Sequence, residues 1–107
     1  MSEKIRKGMA LNEADYAEMS GFFKLMADPT RLRILGELLE GSLYVMHISA
    51  RVGMSQSATS HQLALLRKAD LVRATRRGKS LVYSIADEHV RLMLDMAILH
   101  VNEREAK

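Results

Sequence analysis

The chain has 107 residues, which suits one compact domain over residues 1–107. Hydrophobic residues make up 48% and aromatic residues only 5%, so we expect an aliphatic core. Cysteine is absent, which excludes disulfides and thiolate ligands and leaves His, Asp and Glu to bind any metal. No stretch approaches about 18 uninterrupted apolar residues, and no signal-peptide core is present, so we expect a cytoplasmic protein without a membrane span.

Two helices are predicted in the first third of the chain. Asn12 is a good helix cap, and the helix that follows it should run to about Ala27, with a break near Ser20-Gly21. Asp28-Pro29 is a strong start signal for the second helix, because a capping aspartate precedes a proline in the first turn. Gly41 is expected to end this helix as a left-handed cap.

The middle of the chain predicts two helices joined by a tight turn. Helical spacing fits Val45–Val52, Gly53 supplies the turn, and Ser55 caps a longer helix that runs to about Lys68. A short helix, a glycine turn and a longer helix form a helix-turn-helix arrangement. The second helix of such a motif enters the major groove of DNA.

This second helix has two distinct sides. Ala58, Leu63 and Leu66 form a stripe that is expected to face inward. Its polar residues lie on another side, towards the N-terminal half that a recognition helix presents to base edges. Gln, Ser and His side chains can all reach hydrogen-bonding groups in the groove. The residues expected near base edges are Gln56, Ser57, Ser60 and His61.

A β-hairpin is predicted directly after the recognition helix. Leu71–Thr75 and Leu81–Ile85 contain alternating or β-branched residues, and RRGK between them supplies a turn. Arg67–Lys79 contains six basic residues and one acid, which indicates a polyanion partner, the alternative being a solvated charged face. A hairpin in this position is a wing. Its residues expected to meet phosphates or the minor groove are Arg76, Arg77 and Lys79.

Three segments together resemble the ArsR/SmtB family of winged-helix repressors. They are ADPTRLRIL (Ala27–Leu35), SQSATSHQLALLRKADLV (Ser55–Val72) and RRGKSLVYSI (Arg76–Ile85). The resemblance covers nearly the whole chain in order and spacing. It implies a mainly α fold with a small β-hairpin, a homodimeric winged helix-turn-helix. It also implies a repressor without enzymatic activity, which binds double-stranded operator DNA and releases it when an inducer binds.

The last predicted helix carries metal-ligand residue types at both ends. Asp87 and His89 stand at its start, and His100 and Glu103 stand near its end. The two histidines are eleven positions apart, so they share a helix face but lie roughly 16 Å from each other along the axis, too far for one ion. If the helix packs antiparallel against its own copy in a two-fold dimer, the start of one helix meets the end of the other.

Such a dimer would hold two identical sites between its chains. Each site joins Asp87 and His89 of one chain to His100 and Glu103 of the other, a set without sulfur that suits tetrahedral Zn²⁺. Co²⁺ or Ni²⁺ can use the same ligands. The spacing also matches the C-terminal-helix zinc site of the family that the chain resembles. Taken singly, Asp87 could be a helix cap, His100 an interface residue and Glu103 a surface carboxylate.

These features predict a zinc-responsive transcriptional repressor, with two zinc ions per homodimer. By resemblance, the metal-free ring nitrogen of His100 is expected to point towards a backbone carbonyl near Asp70, just after the recognition helix. Two alternatives remain from the sequence: a nickel or cobalt sensor of the same fold, and an architectural DNA-binding protein without an effector. No nucleophile–base arrangement and no phosphate-binding glycine loop supports an enzyme.

Overall fold

The computed structural model describes residues 10–105, so both ends of the predicted 1–107 domain lie outside the described residues. This part of the chain forms five helices and a small three-stranded antiparallel sheet. In order they are α1 Glu13–Ala27, α2 Pro29–Leu38, β1 Leu43–Tyr44, α3 Val45–Val52, α4 Gln56–Lys68, β2 Val72–Arg77, β3 Ser80–Ile85 and α5 Glu88–Glu105. The predicted winged helix-turn-helix is confirmed, with α3 and α4 as the motif and β2–β3 as the wing.

Helix α1 begins with a reciprocal cap. The Asn12 side chain accepts a hydrogen bond from the Asp15 N–H at 2.8 Å, and the Asp15 carboxylate accepts one from the Asn12 N–H at 3.0 Å. This capping box satisfies two of the backbone donors that a helix start leaves open. The break predicted near Ser20-Gly21 is wrong, because α1 is continuous. A single glycine inside a helix costs only about 1 kcal/mol, which packing can offset.

Helix α2 begins as predicted but ends differently. The Asp28 carboxylate accepts a hydrogen bond from the Arg31 N–H at 3.0 Å, and Pro29 occupies the first turn. The helix stops at Leu38, and Gly41 has a φ of 155°. The predicted left-handed cap at Gly41 is therefore wrong. The Gly41 N–H instead donates to the Leu38 carbonyl at 3.2 Å, which closes the last turn by an i→i−3 bond.

The helix-turn-helix has the predicted boundaries. Helix α3 spans Val45–Val52, and Gly53 follows it in the left-handed conformation, with φ 70° and ψ 38°. Ser55 caps α4 by accepting a hydrogen bond from the Ala58 N–H at 3.1 Å. The predicted inward position of Ala58 is wrong, because Ala58 is exposed and Thr59 is buried. Thr59 tolerates burial because its hydroxyl donates to the Ser55 carbonyl at 2.8 Å.

The wing is longer and its turn tighter than the sequence indicated. Arg77 pairs with Ser80 across the hairpin, so only Gly78 and Lys79 form the turn. Gly78 has a φ of 63°, a conformation that suits glycine at the first position of a two-residue hairpin turn. Strand β1, Leu43–Tyr44, pairs with the other edge of β3 to give the order β1-β3-β2. This two-residue strand was not predicted.

The core is aliphatic, as the composition predicted. Its completely buried hydrophobic residues come from α2, α3, α4 and the start of the wing, and Val90 and Leu94 add α5 to the same cluster. Burial of each such side chain contributes about 1.5–3 kcal/mol. Among residues 10–105, the structure contains no helix with the length and hydropathy to cross a bilayer. The completely buried hydrophobic residues are Ile34, Leu35, Leu38, Ile48, Leu63, Leu66 and Leu71.

Helix α4 ends in a tight turn at Asp70. This exposed residue has a φ of 58°, in the left-handed region. The Asp70 N–H donates to the Arg67 carbonyl at 3.0 Å, and the Leu71 N–H donates to the Leu66 carbonyl at 2.9 Å. These two bonds form a Schellman motif, which turns the chain from the recognition helix into the wing. Aspartate adopts this conformation more readily than most residues with a side chain.

We expect Asp70→Val to lower the free energy of unfolding by about 1–2 kcal/mol, because a β-branched side chain is strained in the left-handed conformation. Asp70→Gly should leave it unchanged or raise it, because glycine adopts a positive φ without strain. Urea unfolding at one fixed protein concentration measures both, since self-association adds to apparent stability. Equal losses in the two variants would show that side-chain contacts of Asp70, and not its backbone, are important.

Candidate nucleic-acid interface and metal centre

Three of the predicted DNA-contacting residues surround one cleft. Gln56 and Ser60, one turn apart on α4, contribute to its lining, and Lys79 contributes from the turn of the wing. The cleft has a volume of about 380 Å³, and the rest of its lining comes from β1, the start of α3 and β3. The structure therefore brings the N-terminal half of the recognition helix and the tip of the wing together, so that one bound duplex could contact both.

The other predicted DNA-contacting residues are also exposed. Ser57 and His61 lie on α4, and Arg76 and Arg77 lie on β2, whereas the sequence had indicated that both arginines were in the turn. Successive strand residues point to opposite faces, so Arg76 and Arg77 leave the wing in different directions. Arg73 is exposed and shares the face of Arg77. Arg73 was not predicted as an interface residue, although the two-residue period of side chains along a strand places it on the same face as Arg77.

The two histidines outside the last helix are both exposed. His47 lies on α3, and its ring packs edge-to-face against Tyr44 with the ring centroids 5.9 Å apart. Met46 beside it is an exposed hydrophobic residue that also lines the cleft. An apolar side chain in this position can contact a thymine methyl group. Met46 was not predicted to line this cleft, because an isolated methionine in a sequence is more often a core residue.

Asp87 and His89 are brought together at the start of α5. Asp87 Oδ1 accepts a hydrogen bond from the Val90 N–H at 3.0 Å, so this carboxylate does cap the helix. The same oxygen lies 3.5 Å from His89 Nδ1. Two donors on a tetrahedral zinc, with bonds of about 2.0–2.1 Å, are roughly 3.4 Å apart, so this pair fits a shared ion. Both side chains are open to solvent, Asp87 by 48% and His89 by 80%.

His100 and Glu103 form a second pair of donors near the other end of the helix. Both are exposed, and they lie one turn apart. Helix α5 is unbroken from Glu88 to Glu105, so its two histidines are separated by roughly 16 Å along the axis. Among the side chains of residues 10–104 in one chain, no three of His, Asp or Glu are grouped closely enough to hold a metal. A single chain thus presents two incomplete donor pairs.

Apolar side chains are exposed on both α1 and α5. Three of the five large ones on α5 recur every three or four residues along the helix face that carries the two histidines, whereas Ile98 and Val101 lie on another side; those on α1 form a similar stripe. Because each of these side chains is about half exposed, burial of the rest would contribute about 1 kcal/mol apiece, so the two stripes favour association with another protein surface. The residues of these stripes are Tyr16, Met19 and Phe23 on α1, and Leu92, Met96 and Leu99 on α5.

Arg91 attaches the first turn of α5 to the end of α2. Its Nη1 donates to the Leu39 carbonyl at 2.7 Å, and the side chain is half-buried. Carbonyls at a helix C-terminus lack intrahelical partners and carry the negative end of the helix dipole, so a guanidinium is well suited to this position. The contact holds the helix turn that bears His89 against the body of the molecule. This contact was not predicted from the sequence.

The sequence and the fold both match known bacterial regulators. Residues 28–74 match the family described as "Bacterial regulatory protein, arsR family". The HTH-type transcriptional regulator NmtR of Mycobacterium tuberculosis is 42% identical over 95 residues, which cover 89% of this chain and 79% of NmtR. A transcriptional repressor SmtB homolog of Synechocystis is 38% identical over 97 residues, which cover 91% of this chain and 72% of the homolog.

A solved structure extends the match to the fold. The homodimeric winged helix-turn-helix DNA-binding domain of Mb0332 from Mycobacterium bovis, described as a possible ArsR-family regulator, superimposes with a TM-score of 0.81 at 27% identity. The match covers 97% of this chain and 90% of that domain. The relatives are transcriptional regulators, which confirms the prediction that the chain is not an enzyme. This chain belongs to the ArsR/SmtB family of metal-sensing, winged-helix transcriptional repressors.

Proposed function

We propose that the protein is a zinc-responsive repressor, which binds operator DNA as a homodimer and releases it when zinc binds. The arrangement of two donor pairs on one face of α5 carries this proposal. Asp87 with His89, and His100 with Glu103, offer two imidazoles and two carboxylates without sulfur, a set that suits tetrahedral zinc. As a bacterial regulator of transcription, it would work in the cytoplasm.

A two-fold dimer completes both sites. If α5 packs antiparallel against its copy, the start of each helix meets the end of the other, and the apolar stripe between the donor pairs is buried. The exposed Leu92, Met96 and Leu99 support this packing, because they lie between the two ends on the face that carries both pairs. The homodimeric state of Mb0332 is further support. The dimer would hold two zinc ions.

Zinc is favoured over nickel or cobalt by the number of ligands at hand. The chain has four histidines, of which His47 and His61 belong to the helix-turn-helix. Each site between chains then has four protein donors, which is the coordination number that zinc prefers. A nickel or cobalt sensor is the alternative within the family, because these ions also accept nitrogen and oxygen ligands. An architectural DNA-binding protein without an effector is the alternative outside it.

The chain's own contacts indicate how the site could influence DNA binding. When bound, zinc would cross-link the two chains. If zinc binds the DNA-free arrangement of the dimer more tightly, thermodynamic linkage requires that it lower the affinity for DNA. Arg91 holds the first turn of α5 against α2, so that a change in the pairing of α5 is felt by the body of the molecule. The resemblance-based prediction for His100, a hydrogen bond from its free ring nitrogen to a backbone carbonyl near Asp70, would add a second route.

We expect alanine substitution of all three wing residues, Arg76, Arg77 and Lys79, to weaken binding to every DNA sequence. Each lost phosphate contact should flatten the slope of log affinity against log salt by about 1, because fewer counterions are released. Fluorescence anisotropy with a specific and a scrambled duplex, over a series of salt concentrations, measures the slope. An unchanged slope would show that the wing does not contact phosphates. Glu40→Ala, a change to an exposed residue just after α2, controls for effects on the fold.

We expect His100→Ala to abolish tight zinc binding while the dimer stays folded, because the exposed imidazole supplies a ligand and no core contact. Isothermal titration should give one zinc per chain for the wild type and for the matched control His47→Ala. Acid should weaken wild-type binding, because protons compete for the imidazole nitrogens. Sedimentation checks that both variants remain dimers. Normal stoichiometry and affinity in His100→Ala would refute the assigned site, and no metal binding by the wild type would favour the architectural alternative.

We expect zinc to lower the affinity for operator DNA by roughly 5- to 150-fold, the usual range for coupling between two binding sites. DNA should lower the affinity for zinc by the same factor, because the linkage is reciprocal. Anisotropy with zinc and with a chelator at fixed salt measures the first factor, and zinc titration of the DNA complex measures the second. His100→Ala should bind DNA equally in zinc and chelator. Equal wild-type affinities in the two conditions would rule out the switch.

A further inference from the structure

A single guanidinium on α2 links helix α1 to the recognition helix α4. Arg31 Nε donates to the Leu25 carbonyl in the last turn of α1 at 2.9 Å. Arg31 Nη1 donates to Gln62 Oε1, in the middle of α4, at 3.1 Å. The side chain is partly buried. Because the guanidinium is planar and rigid, these two bonds together constrain the direction of α4 relative to the end of α1.

Pro29 explains why the Leu25 carbonyl is available to Arg31. In an uninterrupted helix, this carbonyl would accept from the N–H of residue 29, and proline has none. A charged donor takes the vacant place, and such hydrogen bonds are about twice as strong as neutral ones. Asp28 also fixes the backbone of Arg31, through the 3.0 Å bond from the Arg31 N–H to its carboxylate. The sequence Asp28-Pro29 thus both starts α2 and aims Arg31.

Gln62 lies on the side of α4 that turns away from the predicted DNA-reading residues. At about 100° per residue, it is roughly opposite the centre of the set formed by residues 56, 57, 60 and 61. A side chain in that position does not share the groove with the reading residues. Its contact with Arg31 therefore affects DNA recognition only by orienting the helix.

We propose that Arg31 and Gln62 are positioning residues, which select the spacing between the two half-sites of the operator. Helix α1 exposes Tyr16, Met19 and Phe23 for a partner chain, and α4 reads DNA. In a symmetric dimer, the angle between these helices sets the separation of the two recognition helices, and hence the spacing that both can read at once. This assignment rests on the proposed function as a homodimeric DNA-binding repressor.

The test is the dependence of affinity on half-site spacing. A half-site is first selected by the wild-type dimer from a randomised duplex pool. Inverted repeats of it are then made with spacers shortened and lengthened in single base pairs. Gln62→Leu should reduce the preference for the best spacing over its neighbours by roughly tenfold, the effect of losing one hydrogen bond to a charged group. Arg31→Met removes the bonds to both Leu25 and Gln62 and should reduce the preference at least as much. Gln62→Glu keeps an acceptor for Arg31 and should keep the preference.

Arg51→Met is the matched control. Arg51 lies on α3, and its Nη1 is 3.4 Å from Glu37 Oε2 on α2. This ion pair therefore does not involve α1 or α4. This variant should change affinity at all spacings by the same factor. If Arg31→Met does not fold, Gln62→Leu decides, because it leaves the bond between Arg31 and Leu25 intact. A folded Gln62→Leu dimer with the wild-type spacing profile would overturn the assignment. Failure of the wild type to select any half-site would overturn the proposed DNA-binding function and this assignment with it.

Discussion

The fixed rise of helix α5 is the constraint on which the proposed switch depends. The helix is unbroken from Glu88 to Glu105, so the backbone positions of its two histidines stay roughly 16 Å apart along the axis. Two donors do not fill the coordination shell of a zinc ion. The apolar residues between the pairs are also left exposed in a single chain. An antiparallel copy of the helix would complete the coordination of zinc and cover these apolar residues, so dimerisation and metal binding would use the same surface.

Local chemistry made much of the fold predictable. Asn12, Asp28-Pro29 and Ser55 start helices through hydrogen bonds within their own first turns, and these boundaries were confirmed. One of the errors reflects a contact that is distant in sequence. Strand β1 exists because β3 pairs with it, which two residues of sequence cannot reveal. Thr59 and not Ala58 lies in the core because position 59 shares a helix face with Leu63 and Leu66, and its hydroxyl has a partner one turn back.

The candidate site likewise contains some contacts that could be predicted from the sequence and others that required the fold. The proximity of Asp87 and His89 follows from their spacing at a helix start and could be read from the sequence. The contacts of Arg31 with Gln62, and of Arg91 with Leu39, join residues 31 and 52 positions apart, so they needed the fold. Only one clue to Arg31 was local: Pro29 leaves the Leu25 carbonyl without its helical donor. The pairing of the four proposed metal ligands across two chains still rests on helix geometry and resemblance.

Helix α2 lies between the proposed metal sites on α5 and the recognition helix α4, and an arginine contact links it to each of these helices. At its C-terminal end the Leu39 carbonyl is bound by Arg91 of α5, and near its N-terminus Arg31 reaches α4. Ile34, Leu35 and Leu38 are completely buried, so α2 cannot shift by itself without opening gaps in a close-packed core.

A change in the pairing of α5 would then move α2 and α4 together as a rigid unit. Such a motion would alter the separation of the two recognition helices in a dimer while leaving each reading surface intact. Zinc would therefore lower affinity for an operator of fixed spacing more than affinity for unrelated DNA, which needs only phosphate contacts.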